Sequence, residues 1–331
     1  MTIVNKSGIY IVNRPVKPLP QGMRNLTGIF LVFLMKDYRK PPLTYAQQLA
    51  LLQSRGLTVK SVDDAIKFLQ QVNYYRFSVY CIPFQKVRDV FSPGSTFETI
   101  VELYRLDEEL RNVLLAMLSP VEVFLRTRTV YELSHQKGAF AHYDPSIFCD
   151  QDQHKEWVNS LEEDIIRSKE TFLEHYRINY NDFPRLPLWI ACETMSLGTL
   201  SLLYGNLSLT YQSQICSIFE VRAKIFANWM HVITYLRNIC AHHSRLWYRE
   251  LSISPLIPER DRRWTALSLD NRHFFASVVV IEWICRKAEL PMCNVEPIYE
   301  TMRKIAALDA RFARMMGVPD GRKIGLIWET K

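Results

Sequence analysis

The stretch Trp229–Trp247, WMHVITYLRNICAHHSRLW, constrains the fold more than any other part of the chain. At roughly 100° per residue around a helix, Ile233, Leu236, Cys240 and Trp247 align with Trp229 in one narrow apolar stripe. That period predicts a single helix through Trp247 with one face sunk in a core. The opposite side carries His231, Thr234, Asn238, His242 and Arg245, with Ala227 and Ala241 beside them and Arg237 on the border. Surface helices more often expose Lys and Glu. A face of Arg, Asn, His and small spacers is therefore the first candidate for a functional site.

A helix with such a stripe needs other elements to cover it, and the rest of the chain is of the same kind. Long apolar-periodic segments, few β-branched runs and only 11 Gly in 331 residues predict an all-α fold. The net charge of +7, from 41 Lys+Arg against 34 Asp+Glu, favours an anionic partner without requiring nucleic acid. Seven scattered cysteines, with no C-x-x-C pair, suit reduced thiols in a cytoplasmic protein. Neither a zinc-type cluster nor H-E-x-x-H occurs, so no metal and no cofactor is expected. The apolar run Gly28–Met35 is too short to span a bilayer and leads into KDYRKPP rather than a cleavage site, so no membrane is expected.

Residues 1–40, with Pro15, Pro18 and Pro20, lack helical period and read as a non-core extension, or as sequence upstream of a start at Met23 or Met35. Thr44 caps a helix over TYAQQLALLQSRG that stops at Gly56, and Ser61 caps one over VDDAIKFLQQVNYYRF. NYYRFSVYCIPF sets aromatics around Arg76; they can stack RNA bases or pack a core, and packing is the better reading. A helix is predicted from Phe97 to His135, disturbed near Pro120, with Glu122 and Arg126 placed to pair at i,i+4. Arg126 and Arg128 either line an anionic groove or sit in solvated ion pairs, the second being preferred. Further helices are expected over WVNSLEEDIIRSKETFLEHYRINY, over LWIACETMSLGTLSLLYGNL, over Arg272–Ala288 and over Pro297–Met316, with an apolar hook at the end. The second of these is apolar nearly all round. Its Glu193 is expected to be a buried carboxylate with a partner, serving either to orient a catalytic group or as a structural hydrogen bond.

Arg237, Asn238 and His242 form the best chemical group on the Trp229–Trp247 helix. An imidazole titrates close to neutrality and can both accept and donate a proton, and a nearby guanidinium can hold extra negative charge on phosphorus. That combination can cut RNA without metal: the 2′-OH, which only RNA has, attacks the adjacent phosphate and leaves a 2′,3′-cyclic phosphate. His231, Arg245, Arg126 and Lys224 are candidate RNA contacts, with Glu193 and Glu122 as supporting groups. Spacing alone is weak, because Arg128 and His135 also fit it; His135 falls on an apolar stripe and reads as structural. The same projection puts His243 within roughly 40° of Trp229, on the core side, and His242 on the polar side.

RNICAHHSRLW resembles the HEPN signature, Arg–(Asn/His/Asp)–x–x–x–His on a helix of an α-helical bundle. The wider chain resembles the bacterial abortive-infection (Abi) proteins of the AbiD/AbiF type, through KPPLTYAQQLALLQSRGL, NYYRFSVYCIPF, RSKETFLEHY, LPLWIACETMSLGTLSLLY, LRNICAHHSRLW and the closing MGVP…LIW. This resemblance runs from about Lys40 to the end. It implies a HEPN-like helical core over 91–250, flanked by helical segments at 41–90 and 251–331. It also implies a phage-defence endoribonuclease acting as a homodimer, with two motif helices forming one cleft, under the control of a small regulatory RNA. Ala223, Ala227 and Ala241 would let the partner helix approach. Two other readings remain open: a non-catalytic RNA-binding or phage-sensing module, and a structural role for Arg237 and His242 at a helix interface.

Overall fold

Phe97–Lys137 forms a single helix of 41 residues, about 60 Å long, and the other elements are arranged around it. We describe the protein from a computed structural model covering residues 41–291 and 293–328. The expectations for residues 1–40, including the apolar run at Gly28–Met35 and the start at Met23 or Met35, lie outside the described residues. The long helix is α4. It is preceded by α1 (Tyr45–Ser54), α2 (Val62–Gln71), α3 (Tyr74–Cys81) and a hairpin of β1 (Gln85–Val87) and β2 (Val90–Phe91). It is followed by α5 (Gln151–Arg167), α6 (Thr171–Asn179), α7 (Leu188–Thr194), α8 (Leu197–Asn206), α9 (Leu209–Cys216) and α10 (Ala223–Ala241). The chain closes with α11 (Arg262–Thr265), α12 (Phe274–Lys287), α13 (Glu296–Leu308) and α14 (Arg311–Met315).

The fold is all-α, as expected; the small hairpin, turning at Asp89 with φ 66°, was not anticipated. From Tyr45 onward the chain forms one compact unit. In it α4 packs against α3, α7, α8, α9, α10 and α13, while α12 is buried along its length from Phe274 to Cys285. Thr96 caps α4 by accepting the Thr99 N–H, and the helix continues through Pro120 to Gly138, whose φ of 81° ends it.

Four of the expected helices are interrupted, each time at a short polar side chain that takes a backbone N–H. Asn73 accepts from Tyr75 and starts α3 where continuous helix was expected from Val62 to Phe77. Ser168 accepts from Glu170 between α5 and α6, and Ser196 accepts from Thr199 to start α8. Asp309 accepts from Arg311 between α13 and α14. Such side chains offer the backbone an alternative to the helical ladder, and apolar periodicity does not register them.

Helix α10 is also shorter than expected. It stops at Ala241, because His243 takes a left-handed conformation with φ 54°. The His243 N–H donates to the Cys240 carbonyl at 3.0 Å and the Ser244 N–H to the Ile239 carbonyl at 2.9 Å. This is a Schellman ending with histidine in the place glycine usually takes. The helical projection therefore fails after His242: His243 is exposed and not in the core, although Trp247 is fully buried.

Candidate functional site

α10 meets the core through Phe226, Trp229, Met230, Ile233, Leu236 and Cys240, all buried. This leaves Lys224, His231, Asn238 and His242 exposed along its outer line, with Arg237 half-buried at the border. The polar face read from the sequence is present with three exceptions. Ala223 is buried, Thr234 turns its hydroxyl back to the Met230 carbonyl at 2.9 Å, and Arg245 lies half-buried beyond the end of the helix at Ala241. Arg237 and His242 are five residues apart, about 7.5 Å along the axis and roughly 140° around it. Arg237 leans towards α4, whereas Asn238 and His242 face outward on successive turns.

The side chain of Arg237 is the start of a chain of charges. Its Nη1 donates to Asn238 Oδ1 at 3.2 Å, and its Nε lies 3.8 Å from Glu122 Oε2. Glu122 in turn accepts from Arg126 Nη2 at 3.1 Å, the expected i,i+4 pair. Arg126 also donates to the Met195 carbonyl at 3.0 Å, and its Nη1 lies 3.9 Å from Glu193 Oε2. Asn238, Glu122, Arg126 and Glu193, expected separately from the sequence, thus join Arg237 across α10, α4 and α7. Glu193 is not the buried carboxylate expected: its side chain is 59 % exposed, because α7 ends at Thr194 and leaves Trp189 and Glu193 at the surface.

Other expected contacts are not brought together. Lys224 lies 18 residues before His242 and His231 lies 11 before it, about 27 Å and 16 Å along the helix axis. The Arg245 guanidinium lies 5.4 Å from the centre of the Tyr248 ring, and burial lowers its pKa. Arg128 pairs with Glu132 at 2.9 Å, and the exposed His135 ring lies tilted by 36° against exposed Tyr131, centroids 4.0 Å apart, rather than entering a core. The aromatics of NYYRFSVYCIPF divide: Phe77 and Tyr80 are buried, while Tyr75 is exposed.

Two residues hold this end of α10: Arg76, read from the sequence only as a cation among aromatics, and Asp107, which was not singled out. Arg76 donates to the His243 carbonyl and has its guanidinium 5.8 Å from the Tyr104 ring centre, placing a cation at the negative end of the helix dipole. Asp107, fully buried, fixes the chain that leaves the helix. Its Oδ1 accepts the N–H of Leu246 at 3.1 Å and of Trp247 at 2.8 Å; its Oδ2 accepts the Tyr80 hydroxyl at 2.6 Å and pairs with Arg111. The sequence does carry a signal for it. Asp107 stands in the stripe Leu103, Leu110, Leu114, where a carboxylate needs partners.

The arrangement offers an exposed imidazole and an amide on successive turns, a guanidinium beside them, and a tether that keeps the following chain in place. Among the described residues no three His, Cys, Asp or Glu side chains come together as a metal site, and no helix is long and apolar enough to cross a membrane. No curated protein and no solved structure matches the chain. A family model described as Abi-like protein matches residues 67–248, just over half of the sequence. The matched span runs from α2 to the residue after Trp247 and contains Asp107, Glu122, Arg126, Glu193, Arg237, Asn238 and His242. By that match the chain belongs to the Abi-like protein family.

Proposed function

We propose that this protein is a metal-independent endoribonuclease of a bacterial phage-defence system, acting in the cytoplasm, with α10 as a HEPN-type motif helix. The observation that carries the reading is the exposed pair Asn238–His242 beside Arg237 on a helix whose other face is buried. His242 takes the proton of the ribose 2′-OH and later returns one to the 5′-oxygen of the leaving strand. Arg237 holds the charge that builds on the pentacoordinate phosphorus, and Asn238, already accepting from Arg237 at 3.2 Å, keeps the guanidinium oriented. The products are a 2′,3′-cyclic phosphate and a 5′-OH.

Arg237 and His242 diverge on one helix, so a second copy facing the first supports a composite cleft better than one chain does. The half-buried Ala227 and exposed Ala241 on the outer line of α10 suit close approach of a partner helix in such a homodimer. Control by a small regulatory RNA fits this scheme. One observation favours a second reading, in which the site binds RNA without cutting it: Glu122 lies 3.8 Å from Arg237 and competes with phosphate for its charge.

End-labelled single-stranded RNA incubated with the protein in EDTA distinguishes the two. Fragments ending in 2′,3′-cyclic phosphate are expected from the nuclease. Tight binding with intact RNA rejects the nuclease in favour of the binding module.

A further inference from the structure

We propose that the cleft between α4 and α7 beside Trp189 is a base-binding subsite that selects guanine in single-stranded RNA. It rests on the reading of this protein as one that engages RNA, and adds a specificity determinant to it. The cleft measures about 500 Å³ and is lined by Arg126, Val130, Tyr131, Ser134, Trp189 and Glu193.

Its walls are aromatic and open. Trp189 is 50 % exposed and Tyr131 is 56 % exposed, although both belong to helices whose other large apolar residues are mostly buried. The Tyr131 ring is met by the His135 ring at 4.0 Å, which leaves half-exposed Trp189 as the platform for a flat ligand, and base stacking on such a platform contributes about 1–3 kcal/mol per base.

Two polar atoms of its lining are unsatisfied. Arg126 Nε and Ser134 Oγ are shielded from solvent and have no hydrogen-bond partner, an arrangement that buried polar atoms rarely keep. Arg126 spends Nη2 on Glu122 and the Met195 carbonyl, while its Nη1 stays 3.9 Å from Glu193, beyond hydrogen-bond range. Glu193 holds only two loose contacts, the Cys192 thiol donating to Oε1 at 3.6 Å and Arg126 at 3.9 Å from Oε2, and its exposed carboxylate can exchange them for a ligand at the mouth of the cleft.

The combination points to one base. Guanine places two adjacent donors, N1–H and N2–H₂, on its Watson–Crick edge, where a carboxylate such as Glu193 can accept both. Its O6 and N7 are acceptors that suit a guanidinium, and Arg126 Nη1, 3.9 Å from the exposed Glu193 carboxylate, supplies that donor. Adenine, cytosine and uracil lack that adjacent donor pair. Arg126 also links the cleft to the candidate site, since Glu122, one helical turn or about 6 Å along α4, contacts Arg237.

The test is binding, scored apart from cleavage. Full-length His242→Ala protein is titrated with fluorescein-labelled hexauridine carrying one internal guanosine, or adenosine in its place. The guanosine oligomer is expected to bind at least about tenfold tighter. Trp189→Ala is expected to weaken it about 5- to 100-fold, and Trp189→Phe to restore most of that loss. Glu193→Gln is expected to erase the preference for guanosine while changing adenosine binding less than about twofold. Circular dichroism and gel filtration verify that each variant folds, and half-exposed Trp189 tolerates the change.

Equal binding of the two oligomers, or a guanosine preference untouched by Trp189→Ala and Glu193→Gln, overturns the proposal. GMP bound through Trp189 with no guanosine preference in the oligomers assigns the cleft to a free nucleotide and overturns the RNA subsite. Guanosine-selective binding by a protein that never cuts RNA leaves the subsite standing and removes the nuclease. Cutting that ignores Trp189 and Glu193 does the reverse.

Discussion

Asp107 and Glu282 stand on different helices and hold two different stretches of chain by the same set of contacts. Asp107 accepts the backbone N–H groups of Leu246 and Trp247 and the hydroxyl of Tyr80. Glu282 accepts those of Ile327 and Trp328 and the hydroxyl of Tyr299, at 3.0, 2.8 and 2.6 Å. Each has an arginine one turn further along its helix: Arg111 pairs with Asp107, whereas Arg286 donates to the Trp328 carbonyl. Each ties down an aliphatic–Trp pair against aromatic neighbours, Trp247 on Phe312 and Trp328 on Trp264 and Trp283.

The difference lies in the surroundings. Arg111 is buried with its carboxylate, while Arg286 is exposed. Burial pushes the Asp107 carboxyl above its ordinary range, against the pull of Arg111 and the hydrogen bonds. A fully desolvated pair is costly to break, because the surviving partner is left as an uncompensated charge. That rigid version is placed where the chain leaves α10, next to His242. The more solvated version holds the C-terminal hook, outside the residues matched by the family.

Removing one partner of the buried pair is the most direct way to break this comparison. Asp107→Ala is expected to lower unfolding free energy by about 3–5 kcal/mol in urea titrations and to abolish RNA cleavage. A loss below about 1 kcal/mol would show that the tether contributes no more than an ordinary hydrogen bond.

His142 sharpens the comparison from the other side, as a fully buried polar side chain with no such set of partners. Neither of its ring nitrogens has a hydrogen-bond partner. Burial, helped by His154 and Arg185, depresses its pKa from 6.5 to about 3. The unfolded ring takes up its proton near pH 6.5 and the folded ring only near pH 3. The neutral ring's contribution is therefore complete above pH 6.5 and is lost as the pH falls between those values. At pH 4 this amounts to roughly 3 kcal/mol. His142→Phe should flatten the fall in urea midpoint between pH 7 and pH 4; an unchanged slope would assign the acid sensitivity elsewhere.

Glu282→Gln keeps one acceptor and the side-chain shape, so a smaller loss of about 2 kcal/mol is expected, with cleavage preserved below the melting temperature. Loss of cleavage at full folding would erase the functional distinction between the two tethers. The smallest effect is expected at the helix end. His243→Gly should relieve the left-handed residue and gain about 1 kcal/mol, read as a higher melting temperature with cleavage retained.

The outward face of α10 was legible in the sequence because a 3.6-residue period reports burial averaged over whole turns. Lys224, His231, Asn238 and His242 are exposed accordingly, and the Glu122–Arg126 pair follows from its i,i+4 spacing. Single residues that act against the average were not legible. Asn73, Ser168, Ser196 and Asp309 break helices through one hydrogen bond each, and His243 ends α10 through one dihedral. Contacts across long stretches of chain were out of reach for the same reason. Asp107 meets Trp247 across 140 residues, and Glu193 becomes an exposed neighbour of Arg126 only because α7 stops after Thr194.

His242 is the residue on which the account depends, and its exposure separates chemistry from stability. The decisive measurement is the single-turnover rate of RNA cleavage by His242→Ala in EDTA, alongside wild type and His243→Gly. The account predicts a fall of at least about 100-fold for His242→Ala, with unfolding free energy within about 0.5 kcal/mol of wild type and His243→Gly still active. Cleavage by His242→Ala at the wild-type rate would contradict it.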